Sequence, residues 1–348
     1  MKAILRVGIV GLGRLGRHHA RCLRYRIPEA HLVAAASPVE SERQHAREEL
    51  GIGQVVDSLD ALLALDGLDA VVLVTPTALH AAQSIQVLEA GKHLFVEKPL
   101  ALDVASCEQV AATHARTRVQ HPGQVAMVGF VRRFDTSYRH AREAIIRGEV
   151  GTPFYVRSQT CDKLDPHGFF VQFSASSGGI IMDCNIHDID LARWLLADND
   201  GRAPRARRVY ASGSCFVHPE LAQHQDVDNA IGTIEFEDGK LASIYASRTF
   251  AHGHETSTEI IASAGKLLVG AGAALDRVVR SDARGVSHAA LPDFFERFRE
   301  AFDHELQHFV ETCLGKVPLA LSLEDATEAT RIGAALTRAL RSGQAQTL

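Results

Sequence analysis

Asp183 and His187 lie four residues apart and form the most informative polar pair in the chain. In a helix, residues with this spacing share one face, so the carboxylate and the imidazole would be neighbours. An imidazole can move a proton near neutral pH, and the carboxylate could orient the ring, bind a substrate hydroxyl or stabilise a lysine. A hydrogen-bonded core histidine and half of a metal site are the alternatives. A zinc site needs a third ligand at suitable spacing, and since none is evident we predict no metal site.

A lysine in the segment Glu97-Lys98-Pro99 follows a short apolar run that predicts a buried strand. Ligands of open α/β sheets bind along the edge formed by the carboxyl ends of the strands, and Lys98 would lie there. The proline fixes the local backbone and so helps to direct the lysine. Thr75 and Pro76 follow the preceding apolar run and would lie at the same edge. The alternative is an ordinary surface lysine in a turn.

Residues 11–16 match the pattern G-x-G-x-x-G, with glycines at positions 11, 13 and 16. The pattern is weak alone, and an ordinary glycine-rich turn is the alternative. Here it follows an apolar strand and opens a helix, which is the context of a dinucleotide-binding loop. The glycines allow a tight turn and a close backbone approach, so that a pyrophosphate can sit at the helix N-terminus.

The end of the second predicted strand carries Ser37 instead of the usual acid. In an NAD-specific site, an Asp or Glu about 20 residues after the glycine loop binds the ribose 2′-hydroxyl. Without that carboxylate, a 2′-phosphate is not repelled. Arg14 and Arg43 are candidate partners for such a phosphate, although neither directly follows Ser37. The sequence therefore permits NAD or NADP, with a slight preference for NAD.

The elements that would position these residues fall into two patterns. Short apolar runs alternate with amphipathic stretches up to about residue 125, which predicts a doubly wound parallel sheet, that is, an α/β Rossmann domain. Beyond residue 154 the strands are longer and alternate polar with apolar residues, as in an open, mainly antiparallel sheet of an α+β domain. The predicted strands are 7–10, 31–36, 70–74, 93–96, 231–236 and 241–247. The predicted helices are one that follows the glycine turn and runs to about residue 25, then 41–50, 78–90, 134–147 and 178–196.

Length and composition set further limits. A chain of 348 residues exceeds the usual size of one domain. A formal net charge of -5 and scattered basic residues give no reason to expect nucleic acid or an anionic membrane surface as partner. The six cysteines contain no Cys-x-x-Cys pair, which favours reduced thiols. No apolar run approaches the roughly 18 residues of a membrane span, and we expect a cytoplasmic protein.

Together, and in this order, these motifs resemble the glucose–fructose oxidoreductase/inositol dehydrogenase (Gfo/Idh/MocA) family, most closely its inositol 2-dehydrogenase branch. The resemblance covers nearly the whole chain. It is carried by residues 11–16 with His19, 75–77 with His80, 97–99, 129–135, 177–179, 183 and 187–190.

The resemblance implies roles for individual residues. Lys98 would lie beside the nicotinamide and stabilise the negative charge that develops on the substrate oxygen. His187 would take the alcohol proton as hydride leaves, and Asp183 would bind the substrate and tune that transfer. The cofactor-binding residues would be Gly11, Gly13, Arg14, Leu15, Gly16, Ser37, Thr75, Pro76, His80, Glu97 and Lys98. The substrate-binding residues would be Arg132, Thr160, Asp183, His187 and His254.

Two segments depart from the branch. Residues 252–255 read His-Gly-His-Glu where the branch often has Tyr-Gly-Tyr-Asp, so His254 replaces an aromatic residue. Residues 158–162 also lack the arginine or asparagine that is frequent there. Both segments would line the substrate side.

The resemblance also implies a division into a Rossmann domain (1–125), an α+β substrate and oligomerisation domain (126–320), and a C-terminal helix (321–348) that returns toward the first domain. A homodimer or homotetramer would form through the second sheet. The expected reaction is NAD(P)-dependent oxidation of a secondary alcohol of a cyclic polyol, with myo-inositol favoured. The alternatives are a dehydrogenase of another pyranose sugar or amino-sugar, and a nicotinamide-binding regulatory protein without turnover.

Overall fold

The computed structural model describes residues 4–270, 272 and 274–348 of the chain. Its strands are β1 (Leu5–Val10), β2 (Ala30–Ala36), β3 (Gln54–Val56), β4 (Ala70–Leu73), β5 (His93–Glu97), β6 (Ala126–Gly129), β7 (Pro153–Lys163), β8 (Ala206–Ser214), β9 (Asn229–Phe236), β10 (Leu241–Phe250), β11 (Glu255–Ala262), β12 (Gly265–Val269), β13 (Ala274–Asp282), β14 (Gly285–Ala290) and β15 (Gln346–Thr347).

The α-helices are α1 (Arg14–Tyr25), α2 (Glu40–Glu48), α3 (Leu59–Leu63), α4 (Thr77–Glu89), α5 (Val104–Thr117), α6 (Thr136–Ile146), α7 (Phe169–Ser177), α8 (Ile186–Leu195), α9 (Phe294–Arg297), α10 (Arg299–Cys313) and α11 (Leu323–Ser342). Short 3-10 helices cover Val131–Phe134 and Pro219–His224, and a π-helical turn covers Ile181–Asn185.

The chain divides into two compact units, Met1–Val131 with Glu300–Thr330, and Arg132–Arg299 with Arg331–Leu348. This grouping differs from the predicted division, which placed residues 126–320 in the second domain. The difference has a physical cause in α10, because its aromatic side chains pack inside the first unit. The ring of Phe309 lies 5.6 Å from that of Phe95.

The first unit contains a six-stranded parallel sheet in the order β3-β2-β1-β4-β5-β6. This order is that of a Rossmann fold, and the predicted α/β class is confirmed. All four residues of β4 are buried, as expected for a parallel sheet that is covered on both faces. The helix that follows β4 ends before Gly91, whose φ of 72° is the left-handed conformation that glycine adopts most easily.

The second unit contains a seven-stranded sheet in the order β12-β11-β7-β10-β9-β8-β15. Its pairings are antiparallel except for β7 with β10, which is parallel. The predicted α+β class with an open, mainly antiparallel sheet is therefore confirmed. Buried and more exposed residues alternate along β9, as expected for a sheet with one covered face.

The predicted helix over residues 178–196 is divided in the structure. Gly178 and Gly179 both have positive φ, of 82° and 83°, and so they interrupt the helical path. The chain then forms the π-helical turn at Ile181–Asn185 and continues as α8. Such π-turns are often found at functional sites, and this one carries Asp183.

Within the described part of the chain, none of the helices is both long enough and apolar enough to cross a membrane.

Candidate active site

The glycine loop of the first unit requires glycine at two positions because backbone atoms lie too close for a side chain. A Cβ atom on Gly11 would lie 2.4 Å from the carbonyl oxygen of Val74, and the φ of Gly11 is 88°. A Cβ on Gly16 would lie 2.0 Å from the carbonyl oxygen of Gly11. These contacts bring the start of α1 against the end of β4.

Gly13 is different, because its surroundings leave room. It is exposed, and apart from its own chain neighbours and the backbone of α1, the described atom nearest to a Cβ placed on it is Glu42 Oε1, at 3.9 Å. Gly13 is also the N-cap of α1 and makes no side-chain capping hydrogen bond, and the first turn of the helix has no acidic residue. The amide groups of this turn can therefore receive an anion. Arg14 and Leu15 belong to the same turn, Arg14 being exposed and Leu15 half-buried.

Ser37, at the end of β2, is buried and bonded to a neighbouring acid. Its hydroxyl donates to Glu42 Oε2 at 2.6 Å and accepts from the amide of Val39 at 3.1 Å. Arg43 donates to the carbonyl oxygen of Ser37 at 2.7 Å. The sequence predicted that the usual acid is missing at Ser37; Glu42, five residues further on, was not among the predicted cofactor-binding residues.

The turns after β4 and β5 are tied together by His80, which is 1% exposed. Its Nε2 lies 2.7 Å from the carbonyl oxygen of Thr75, and its Nδ1 lies 2.7 Å from that of Pro99. Burial outweighs these two carbonyl groups and lowers the pKa of His80. Pro76 begins α4 as its N-cap. His80 therefore fixes the backbone at this edge of the sheet, and its contact with a cofactor stays a prediction.

Glu97 and Lys98 lie at the carboxyl end of β5. Glu97 is buried; its Oε1 lies 2.6 Å from Nε2 of His19, and its Oε2 accepts from the amide of Lys98 at 3.1 Å. Lys98 is half-buried, and its peptide bond to Pro99 is cis. Both carboxylate oxygens of Glu97 are thus used to fix the strand end that presents Lys98. A direct contact between Glu97 and the cofactor stays a prediction.

In the second unit, Asp183 is held by an arginine that the sequence analysis overlooked. Arg248 Nη2 donates to Asp183 Oδ2 at 3.0 Å, and the Arg248 side chain has no exposed surface. Burial lowers the pKa of Arg248, but the neighbouring groups outweigh this effect and raise the pKa above its ordinary range. These groups are Cys184, Asp183 and Asp226. The Asp183 side chain keeps 18% of its surface exposed. Its carboxylate is therefore accessible to solvent while the buried arginine fixes its position.

Asp226 ties the same arginine to the start of the π-helical turn. Arg248 Nη1 lies 3.5 Å from Asp226 Oδ2, and Asp226 Oδ1 accepts from the amide of Ile180 at 2.9 Å. A Cβ on Gly179 would lie only 2.8 Å from the same carboxylate oxygen. This contact explains why a glycine precedes the turn.

His254 and Asp162 form a second acid–imidazole pair in this unit. His254 is 2% exposed; its Nδ1 lies 3.1 Å from Asp162 Oδ1, and its Nε2 lies 3.2 Å from Thr256 Oγ1. Burial opposes the ionisation of Asp162, but His254 outweighs burial and lowers the pKa of this carboxyl. The Cys184 thiol, next to Asp183, lies 3.6 Å from Asp162 Oδ2. A substrate contact for His254 stays a prediction.

Arg132 and Thr160 belong to a buried network around Asp188. Asp188 accepts hydrogen bonds from Arg132 at 2.9 Å, from Thr160 at 2.7 Å, from Ser158 at 2.7 Å and from Asn185 at 2.8 Å. The network links β7 to the start of α8, and so it fixes the backbone next to His187. Arg132 and Thr160 are each 3% exposed, and a substrate-binding role for either stays a prediction.

His187 is half-buried and lies in the first turn of α8, directly after the π-helical turn that carries Asp183. In the described residues, no group of three or more histidine, cysteine, aspartate or glutamate side chains has an arrangement that could hold a metal ion.

The two units offer different chemistry. The first has a glycine loop that a dinucleotide pyrophosphate fits, because the exposed Gly13 leaves space at an uncapped helix N-terminus. The second has a half-buried histidine and a partly exposed aspartate close in sequence, held on a frame of buried ion pairs. Hydroxyl groups can bind to such carboxylate and imidazole groups.

Family models match both parts of the chain. Residues 5–127 match the oxidoreductase family with an NAD-binding Rossmann fold. Residues 138–268 match the GFO/IDH/MocA C-terminal domain.

The chain is also similar over its whole length to inositol dehydrogenases. It is 38% identical to scyllo-inositol 2-dehydrogenase (NAD(+)) of Bacillus subtilis, with 99% of this chain and 96% of that protein covered. It is 30% identical to myo-inositol 2-dehydrogenase of Thermotoga maritima, with 97% and 96% covered. A crystal structure of scyllo-inositol dehydrogenase from Lactobacillus casei with NAD(H) and scyllo-inositol bound has a TM-score of 0.91 at 33% identity, and 99% of each chain is covered. With both family models matched, the chain belongs to the Gfo/Idh/MocA family of NAD-binding oxidoreductases.

Proposed function

We propose that this protein is an NAD-dependent inositol dehydrogenase, which oxidises one secondary hydroxyl of an inositol to a ketone. In the balanced reaction, the substrate carbon loses a hydride to the cofactor and the hydroxyl loses a proton, giving a keto-inositol, NADH and H⁺. One observation carries the proposal: the same chain contains a dinucleotide-binding glycine loop and a partly exposed carboxylate, that of Asp183. Arg248 holds this carboxylate, and Asp183 lies four residues before His187.

The relatives support the inositol class and guide the choice of isomer. The sequence motifs favoured myo-inositol, and the relative with 30% identity is named for that isomer. The relative with 38% identity is named for scyllo-inositol, so we propose scyllo-inositol as the first substrate to test. The two isomers differ only in the orientation of one hydroxyl, and removing hydrogen at that carbon gives the same ketone from both.

The chemistry divides between the cofactor and three side chains. NAD, when bound, accepts the hydride. We assign to His187 the removal of the hydroxyl proton, since an imidazole can accept a proton near neutral pH. Lys98 stabilises the negative charge that develops on the same oxygen, as a positive charge does in a site shielded from water. Asp183 binds a substrate hydroxyl and steadies the proton transfer.

Arg248 and the Asp188 network support these groups without touching the substrate. Arg248 restricts Asp183 to one position, because its guanidinium is itself held by Asp226. Asp188 ties the first turn of α8 to β7. Fixed positions of this kind are what proton and hydride transfer require, since reacting groups must be held in place before the reaction.

A panel of substrates tests the proposal. The purified protein is given NAD and, in separate reactions, scyllo-inositol, myo-inositol, glucose and an amino-sugar, and the formation of NADH is followed. The reverse reaction, 2-keto-inositol with NADH, is analysed for the isomer formed. We expect turnover of at least one inositol, and scyllo-inositol as the main product of the reverse reaction.

Two other results would overturn the proposal in different ways. Turnover of a pyranose with none of any inositol would support the alternative dehydrogenase of sugars or amino-sugars. Tight NADH binding with no turnover of any compound would support a nicotinamide-binding regulatory protein.

We further propose a homodimer or homotetramer that assembles through the sheet of the second unit, in the cytoplasm. Ile231, Leu241 and Tyr210 are 58%, 47% and 43% exposed on neighbouring strands of that sheet, and exposed apolar residues of this kind often mark an interface. Six unbridged cysteines agree with a reducing compartment. Sedimentation of the protein and of Ile231→Glu tests the assembly; a monomeric wild-type protein would contradict it.

A further inference from the structure

Glu42 is bonded to Ser37 at the end of β2, the strand at whose end an NAD-specific Rossmann domain usually carries the acid that binds the adenosine ribose. In such domains an acid at the end of the second strand binds the ribose hydroxyls, close to the glycine loop. Here the strand end carries Ser37, and the acid comes from the first turn of the next helix, α2.

Two contacts fix the position of the Glu42 carboxylate. Its Oε2 accepts the Ser37 hydroxyl at 2.6 Å, and the Ser37 side chain is itself held by the amide of Val39, which donates to it at 3.1 Å. Ser37 is 1% exposed, whereas Glu42 is half-buried. The serine thus acts as a buried anchor, and the carboxylate it holds remains accessible.

The other carboxylate oxygen lies beside the glycine loop. Glu42 Oε1 is 3.9 Å from the position that a Cβ on Gly13 would take, and among the described residues it is the one atom within 4 Å of that position once the backbone of α1 and the two residues next to Gly13 are set aside. Gly13 is the exposed N-cap of α1, where a dinucleotide pyrophosphate fits. A ribose attached to a pyrophosphate at this N-cap would therefore come within reach of Glu42.

Two arginines close to Ser37 in sequence bind to other groups of the protein. Arg43 donates to the Ser37 carbonyl oxygen at 2.7 Å and also pairs with Glu40. Arg47 pairs with the same Glu40 at 3.1 Å. The guanidinium of Arg43, which the sequence analysis considered as a partner for a 2′-phosphate, is thus directed to the protein.

We propose that Glu42 is the residue that recognises the adenosine ribose and selects NAD against NADP, with Ser37 as its positioning residue. This inference rests on the nucleotide-binding part of the proposed function. The 2′- and 3′-hydroxyls of NAD can donate to the carboxylate. The 2′-phosphate of NADP, with nearly two negative charges, is repelled by it and finds no proton to accept from Ser37, because that proton is already given to Glu42.

Binding of reduced dinucleotides tests this selectivity without turnover. The dissociation constants of NADH and NADPH are measured by nicotinamide fluorescence for the wild-type protein, Glu42→Gln, Glu42→Ala and Ser37→Ala. ADP-ribose and its 2′-phosphate are measured by calorimetry, to limit the readout to the adenosine half. Glu48→Gln is the matched control, since Glu48 is an exposed acid of the same helix and the substitution removes the same charge.

We expect the wild-type protein to prefer NADH, and the NADPH/NADH ratio of dissociation constants to fall by about tenfold or more in both Glu42 variants, as for the loss of one charged hydrogen bond. Ser37→Ala should show a smaller fall in the same direction, and Glu48→Gln should leave the ratio unchanged. An unchanged ratio in Glu42→Gln and Glu42→Ala, with tight NADH binding, would overturn the role of Glu42 alone. If the wild-type protein bound neither dinucleotide, the proposed function would fail as well.

Discussion

The carboxylate of Asp183 lies 3.0 Å from the guanidinium of Arg248, an arginine with no exposed side-chain surface. The two residues are 65 positions apart in sequence. A second carboxylate, that of Asp226, lies 3.5 Å from the same guanidinium. One buried cation therefore fixes both an aspartate that we assign to the substrate and the aspartate that holds the start of the π-helical turn.

Arg248→Lys tests whether this arginine positions Asp183. Lysine keeps the charge but cannot reach two carboxylates with a planar fork, so we expect kcat to fall by about tenfold to a hundredfold while NADH affinity is unchanged. A change in the pH profile of kcat/KM should accompany it, because Asp183 influences the proton transfer. Arg139→Lys, on an exposed position of α6, is the control. If Arg248→Lys lowered only thermal stability and left kcat and the pH profile intact, its role would be purely structural.

Arg248→Met should behave differently from the lysine variant. It leaves Asp226 and Asp183 without their buried cation, and breaking a buried ion pair in this way costs about 3–5 kcal/mol. We expect a large drop in the midpoint of denaturant unfolding. A variant as stable as the wild type would show that the ion pair contributes little to this unit.

Lys98→Ala and His187→Ala test the two groups assigned to the reacting oxygen. Each should keep NADH binding. His187→Ala should lose turnover by about 10² to 10⁴-fold, the usual contribution of a proton-transfer group, and Lys98→Ala by about 10² to 10³-fold, as for the loss of a group that stabilises developing negative charge. Lys266→Ala and His140→Ala, both at exposed positions, are the controls for loss of the same side chains elsewhere. Near-normal rates in either Lys98→Ala or His187→Ala would remove that residue from the mechanism.

Gly13→Ala and Gly16→Ala separate a binding effect from a folding effect in the same loop. A Cβ at position 16 meets the carbonyl oxygen of Gly11 at 2.0 Å, so Gly16→Ala should destabilise the unit by about 1–3 kcal/mol, as overpacking does. A Cβ at position 13 has no such contact, and Gly13→Ala should melt within a few degrees of the wild type. Because the added methyl group takes space that the pyrophosphate needs, NADH affinity should fall about tenfold or more. An unchanged affinity in Gly13→Ala would move the pyrophosphate away from this turn.

Glu305 on α10 should make the protein less stable as pH rises, which is unusual for a carboxyl group. Its carboxyl group has no exposed surface, and neither oxygen has a hydrogen-bond partner within the described residues. Burial, and then the charge of Glu97, raise the pKa of Glu305 well above the ordinary 4.5. Below pH 4.5 the group is protonated both folded and unfolded. As pH rises further, the unfolded chain loses the proton first, so the folded state loses stability until its own pKa is reached.

Glu305→Gln removes this loss, because glutamine does not ionise. Relative to the wild type, the variant should gain stability as pH rises, by up to about 1.4 kcal/mol for each pH unit that separates the two pKa values. Urea unfolding at pH 5 and pH 8 measures the change, with Glu300→Gln on the same helix as the control. If the free energy of unfolding of Glu305→Gln fell further below that of the wild type as pH rose, Glu305 would be ionised in the folded protein.

The parts of the fold and of the site that could be predicted are those that a short stretch of sequence specifies. The glycine loop, the strand before Lys98 and the hairpin of β9 and β10 are each encoded within a few residues. The parallel pairing of β7 with β10 has no such signal, because it joins segments about 80 residues apart.

Arg248 and Glu42 illustrate what was overlooked and why. The predicted strand ended at Ser247, but β10 continues to Phe250, and Arg248 keeps the phase of the buried Ala246 and Ile244. An arginine that continues the alternation of buried residues along a strand could have predicted an internal ion pair. The sequence does not indicate which carboxylate would be its partner. For Glu42, the expected acid was sought at the strand end itself, whereas a side chain on the following helix reaches the same place.

The most direct test of the account follows the transferred hydrogen. scyllo-Inositol that carries deuterium on every ring carbon is incubated with the protein and NAD, and the NADH formed is analysed by mass spectrometry and proton NMR. We predict one deuterium in the reduced nicotinamide ring, together with a keto-inositol in equal amount. Recovery of unlabelled NADH, or of no NADH and no ketone from either inositol isomer, would contradict hydride transfer from an inositol carbon.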